Sequence, residues 1–188
     1  MNRLSTAKRA EIIGCLVEGV SINATCRMTG AAKMTVLKLV RDLGEATSRY
    51  QDTALRNLPC KRIQADELWA FCHAKAKNVP EQHRGEFGYG DVWTWTAIDP
   101  DTKLMVTWLV GERDEVDGLA FMLDLRERVS GRIQLSTDAG VPYRGIVERA
   151  FGSDIDYAQV IKDYGVAASE DGSPTARRYS PWRTSPTP

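Results

Sequence analysis

Apolar residues recur at helical spacing over the first 45 residues, and in alternating or clustered runs over the next hundred. After Ser5 and Thr6, the positions Ala10, Ile13, Leu16, Val17 and Val20 share one helical face, and Gly19 lies near its end. Ser21 is placed to cap a second, short helix over 22–28, which Thr29-Gly30 stops. A third helix is predicted over 32–43, where Val36, Leu39, Val40 and Leu43 line one stripe and Gly44 follows. A short helix, a glycine turn and a longer helix form the signature of a helix-turn-helix.

Residues 46–61 are mixed and polar and read as a linker, with a helix up to the Asn57-Leu58-Pro59 break as the alternative. Beyond them, 62–74, 91–98 and 103–111 are rich in Trp, Val, Thr, Leu and Ile and are bounded by Gly, Pro and Asp, the pattern of strands. Asp99-Pro100-Asp101 supplies a hairpin turn between the second and third. Helical spacing returns over 116–129 through Leu119, Met122, Leu123 and Leu125. It is followed by a strand over 132–137, a short helix over 142–151 and a fifth strand over 156–161. From Gly165 the periodicity ends. The expected architecture is therefore α/β: an all-α helix-turn-helix domain (1–45), a linker (46–61), a mixed sheet with helices (62–164) and a disordered or aberrant tail (165–188).

Composition narrows the setting. The chain has 188 residues, of which 43% are hydrophobic and 27% charged, values of an ordinary globular protein. No apolar stretch approaches the roughly 20 residues that span a bilayer, and no export leader opens the chain, so a cytoplasmic protein with no membrane partner is expected. Cys15, Cys26, Cys60 and Cys72 form no paired motif and read as reduced thiols. The net charge of zero is uneven: residues 1–63 carry +6 and residues 64–188 carry −6. A basic head on an acidic body points to a polyanionic partner for the head. Lys33, Met34, Thr35, Lys38 and Arg41 occupy the polar side of the third helix, where a recognition helix meets the major groove of DNA. A merely solvated face on a three-helix bundle fits the same pattern.

Two acids attract notice in the body. Asp66 stands within the first strand, and Asp138 closes the fourth, the end at which open α/β sheets place ligands. Alternation along a strand sends Asp66 and Glu67 to opposite faces, so only one of them is expected at a given site. Asp on strand one, a hairpin, a helix and Asp at the end of strand four is the order of a ribonuclease H-like sheet, in which strands one and four are neighbours. Converging carboxylates hold hard cations such as Mg²⁺ or Mn²⁺ that line up attack on a phosphodiester. A strand-end cap and a turn residue would satisfy the same spacing. Cys60, Cys72, His73 and His83 have spacings that match no common zinc site. Trp93 and Trp95 share one strand face, suited to core packing or to stacking on bases.

The motifs Asp66-Glu67-Leu68-Trp69-Ala70-Phe71, Trp93-Thr94-Trp95-Thr96-Ala97-Ile98-Asp99, Trp108-Leu109-Val110-Gly111-Glu112-Arg113, Ser136-Thr137-Asp138-Ala139-Gly140 with Tyr143, and Asp156-Tyr157-Ala158-Gln159-Val160-Ile161-Lys162 occur in that order. Together they resemble the insertion-sequence-one family of DDE transposases, with coverage from about Ala7 to about Tyr179. The resemblance implies a helix-turn-helix that binds terminal inverted repeats and a ribonuclease H-like domain. It implies Asp66 and Asp138 as catalytic and metal-binding acids, with Mg²⁺ or Mn²⁺ as cofactor. DNA ends and target DNA are the expected partners, together with further copies of the chain or a full-length transposase, at the nucleoid. The family completes its acidic triad with a Glu on a helix after the fifth strand, in a segment resembling Glu-Arg-x-Asn, and the present sequence holds no such segment. Glu148 follows Asp138 too soon, and Glu170 lies in a Gly/Ser/Pro-rich stretch. The expectation is an incomplete, truncated transposase of little or no activity, or else a non-catalytic DNA-binding protein that competes with the full enzyme.

Overall fold

Ser5 and Ser21 start the first two helices of the computed structural model, which describes residues 4–138, 143–163 and 183–186. Ser5 accepts a hydrogen bond from Lys8 N at 3.2 Å ahead of α1 (Thr6–Val17), and Ser21 accepts one from Ala24 N at 3.3 Å ahead of α2 (Ile22–Thr29). Gly30 closes α2 in the left-handed region at φ 69°, where a residue with a Cβ is strained. After this short turn α3 runs from Lys33 to Ala54.

That length carries the helix past its predicted end at Leu43 and matches the helical alternative over the first part of the expected linker. One glycine inside a helix costs only about 1 kcal/mol, and Gly44 is followed by good helix formers such as Glu45, Ala46 and Arg49. Thr47 and Thr53 turn their hydroxyls back onto the carbonyls of Leu43 (2.9 Å) and Arg49 (3.2 Å), so both remain compatible with the helix. The three helices form one compact unit, Met1–Leu55. Ile12 and Val36 are its fully buried apolar residues, and Thr25 and Thr29 are buried with them. The Thr29 hydroxyl donates to Thr25 O at 2.7 Å, which makes its burial tolerable.

The second unit is Arg56–Pro188. Its first residues are not a free linker either: Leu58 N donates to Arg128 O at 2.8 Å, and Leu58 O accepts from Ser130 N at 2.9 Å. The strands are β1 (Arg62–Cys72), β2 (Gly90–Ile98), β3 (Met105–Gly111), β4 (Ile133–Asp138), β5 (Ile155–Asp163) and β6 (Arg183–Pro186), and the helices are α4 (Glu115–Arg128) and α5 (Tyr143–Phe151). They build one mixed sheet in the order β3-β2-β1-β4-β5-β6. β1, β2 and β3 are antiparallel neighbours, whereas β1-β4 and β4-β5 are parallel. The described chain is thus mixed α/β, and among the described residues no helix is long and apolar enough to cross a membrane.

β6 corrects part of the predicted tail. Residues 183–186 pair antiparallel with β5, whose outer edge offers unpaired backbone groups to any extended segment within reach. Residues 165–182, 187 and 188 of that tail lie outside the described residues.

The sheet has one covered face. Ile63 and Ala65 of β1, Trp95 and Ala97 of β2, Val106 of β3 and Ile133 and Leu135 of β4 pack against Phe121, Met122 and Leu125 of α4 and Ile146, Val147 and Ala150 of α5. Asp114 caps α4 by accepting from Val116 N and Asp117 N. Gly118 lets that helix come close: a Cβ there would stand 2.7 Å from Ile146 Cδ1 and 3.0 Å from the Trp95 ring. Trp95 is the hub of the core. Its indole donates to Glu112 O at 2.9 Å, and its ring meets Phe121 at 5.9 Å and the edge of Tyr143 at 5.6 Å. The predicted turn after β2 is built on Asp99, whose carboxylate accepts from Asp101 N and the Thr102 hydroxyl, both at 2.9 Å.

Candidate functional site

The parallel pairing of β1 with β4 fixes where the acids fall. Gln64 lies opposite Ser136, so two residues further along both strands Asp66 and Asp138 come level. The two are brought together, and Glu67 joins them: each of the three residues offers an oxygen, and these oxygens all lie within 4.8 Å of one another. Among the described residues this is the group of three or more potential metal ligands that the fold assembles.

The inclusion of Glu67 corrects the expectation that alternation admits just one of the two neighbours. Asp66 is exposed, and its Oδ1 turns back to accept from Glu67 N at 2.9 Å. Glu67 continues the inward series Ile63, Ala65, Glu67, and its side chain is only 2% exposed. Asp138 is the last residue of β4, where the strand ends and the acid is in reach of carboxylates from both faces of β1. The buried carboxylate of the strand is therefore Glu67, not Asp66. The signal was present in the sequence, because two inward apolar residues at 63 and 65 put 67 in the core by period two.

Glu67 accepts from Arg113 Nη2 at 3.3 Å through Oε2, while Oε1 is buried without a hydrogen-bond partner. Arg113 in turn lies over the Trp93 ring, 4.9 Å from its centroid. Tyr143, the first residue of α5, is fully buried, and its hydroxyl also lacks a hydrogen-bond partner. It lies beside Glu67, near enough for each to bias the other's titration, but short of a formed hydrogen bond. Burial raises the Glu67 carboxyl above the usual carboxylate range, against the opposing pull of Tyr143 and Arg113, and Asp138 adds to the rise. Burial, and then Glu67 and the two aspartates, push the Tyr143 hydroxyl far above the usual tyrosine range, so it stays protonated. Three converging carboxylates, one of them carrying a buried oxygen without a donor, suit a hard divalent cation such as Mg²⁺ or Mn²⁺.

The other predicted residues are placed as follows. Lys33, Met34, Lys38 and Arg41 are exposed on α3, and Thr35 is half-buried. Lys38 Nζ and Arg41 Nη2 both pair with Asp42, at 2.8 and 3.3 Å. Trp95 belongs to the core, whereas Trp93 borders an open hollow with Arg84, Tyr89 and Arg113. His73 and His83 stack on Tyr89 at 4.4 and 4.5 Å, and Cys60 is buried apart from them beside Asp99. Glu148 is exposed on α5 and takes no part in the acidic group, while Ala139, Gly140 and Glu170 lie outside the described residues. Compared with known proteins, the chain matches no family model and no curated sequence.

Proposed function

We propose that this chain is a transposase-type DNA-binding protein: α2 and α3 act as a helix-turn-helix on duplex DNA, and a ribonuclease H-like sheet holds a divalent-cation site. The observation that carries the reading is the convergence of Asp66 and Asp138 from neighbouring parallel strands, with their oxygens within 4.8 Å. The sheet order and the hairpin, helix and strand between the two acids support it, as do the sequence motifs. So does the basic exposed side of α3, with Lys33, Lys38 and Arg41. Bound Mg²⁺ or Mn²⁺ would supply charge stabilisation for in-line attack on a phosphodiester, first by water and then by the freed 3′-hydroxyl of the DNA end. Asp66 and Asp138 hold and orient the ion. Arg113 and Arg84 line one hollow with Trp93 and offer donors to phosphate oxygens, and Arg113 also contacts Glu67.

A second reading, a DNA-binding protein that occupies transposon ends without cutting them, is favoured by the separate compact unit Met1–Leu55 with its own core. One assay divides the two. The chain is incubated with supercoiled plasmid and with duplexes carrying the element's ends, in Mn²⁺. Under the first reading it nicks DNA slowly, Asp66→Asn and Asp138→Asn each abolish nicking, and Lys33→Ala with Lys38→Ala weakens retention of the duplex. Retention without nicking selects the second reading. Loss of neither function in those variants removes both.

A further inference from the structure

We infer that Glu67 completes the acid pair into a three-carboxylate site for one hard divalent cation, Mg²⁺ or Mn²⁺. The inference rests on Asp66 and Asp138 as metal ligands and extends that reading to the residue which strand alternation sends the other way.

Distance is the first support. Oxygens bound to one such ion at roughly 2.1 Å lie within about 4.2 Å of each other. The three carboxylates already stand within 4.8 Å, so small side-chain rotations close the set. The second support is the state of the Glu67 carboxylate. Its side chain is 2% exposed, Arg113 holds Oε2, and Oε1 has no donor. A buried carboxylate oxygen with nothing to accept from is costly, and a cation removes that cost where water cannot reach. Tyr143 is the third support and lies outside the acidic group itself. Its buried hydroxyl, also unpartnered, lies beside Glu67. A buried hydroxyl there can orient a water on the ion, a polar lining with no use in an apolar core.

The consequence is a short triad made from two adjacent residues and one strand end. Asp66 enters from the exposed side of β1 and Glu67 from the core side, and the cation lies at the tip of β4. Arg113 acts as a positioning residue, since it fixes one oxygen of Glu67 and leaves the other for the ion.

The test uses the whole 188-residue chain and Mn²⁺ alone, with binding followed by electron paramagnetic resonance of the free ion. Glu67→Gln is compared with Asp66→Asn and Asp138→Asn, and circular dichroism without metal verifies that each variant folds. The expected result is that Glu67→Gln weakens Mn²⁺ binding about tenfold or more, as the two aspartate variants do. Wild-type affinity in Glu67→Gln, with loss in both aspartate variants, overturns the inference and leaves the acid pair standing. Equal affinity in all four proteins overturns the acid pair itself. Should Glu67→Gln fail to fold, Glu67→Asp keeps the charge on a shorter arm: weakened binding supports the triad, and unchanged binding refutes it.

Discussion

The unit Met1–Leu55 closes around Ile12 and Val36 and fills the remaining space with Thr25 and Thr29, whereas Arg56–Pro188 packs a layer of aromatic and branched side chains around Trp95. The first keeps the charged residues of α3 at its surface. The second brings polar groups inward, since the Glu67 side chain is only 2% exposed and Tyr143 is fully buried. An exposed charged surface can be altered with little loss of fold. A site built into a core cannot be, because each of its residues also packs.

The largest test of that contrast is Trp95→Ala. Removing a fully buried indole that touches Phe121 and Tyr143 should cost about 3–5 kcal/mol. Scanning calorimetry should show the transition of the second unit lost or moved far down, while amide signals from α1 to α3 keep their wild-type melting. Simultaneous collapse of both units would break the comparison. Ser21→Ala is a smaller change in the thinner core. Losing the cap that Ser21 provides to Ala24 N should cost about 1 kcal/mol and lower the melting of α1 to α3 alone. The smallest effect concerns acid. Hydrogen bonds from Asp101 N and then Thr102 hold the Asp99 carboxyl below its ordinary value of 3.8. The folded value is the lower one, so this group stabilises the second unit above pH 3.8 and loses that contribution as pH falls through the folded value. Melting followed from pH 6 to pH 3 should show a steeper acid loss in wild type than in Asp99→Asn. Parallel curves would exclude Asp99 as a source of acid sensitivity.

Much of this molecule is legible in its residues. The five strands from β1 to β5 lie within a few residues of their predicted positions, because a half-buried strand writes its period into the chain. The helix starts follow from Ser5, Ser21 and Asp114, each of which accepts from the first turn. What escaped depends on energies that pattern does not carry. Gly44 reads as a stop, yet the residues after it sustain the helix to Ala54. β6 has no alternation of its own and exists by virtue of the edge that β5 presents. Asp66 and Asp138 were identifiable as a pair from the order of elements. The inward direction of Glu67 was legible from Ile63 and Ala65, but its place beside Asp66 was not, since the rule that neighbours on a strand part company holds for directions and fails at a strand end, where Asp138 is in reach of both.

Asp42 alters the ionic accounting of α3. It already serves as the counter-ion of Lys38 and Arg41, and the Lys38 contact above all holds its carboxyl below the usual range. A phosphate that takes either cation must first detach it from a carboxylate tethered to the same helix. Each protein cation that neutralises a phosphate ordinarily frees close to one condensed ion from duplex DNA, about 0.9 on average. Here the abandoned Asp42 gathers a cation back from solution, so the net release is smaller than the basic residues alone imply. If α3 meets DNA as proposed, the helix would be less sticky towards arbitrary polyanions than its charge suggests, and discrimination would fall to contacts that Asp42 does not offset, those of Lys33 and Thr35 at its start.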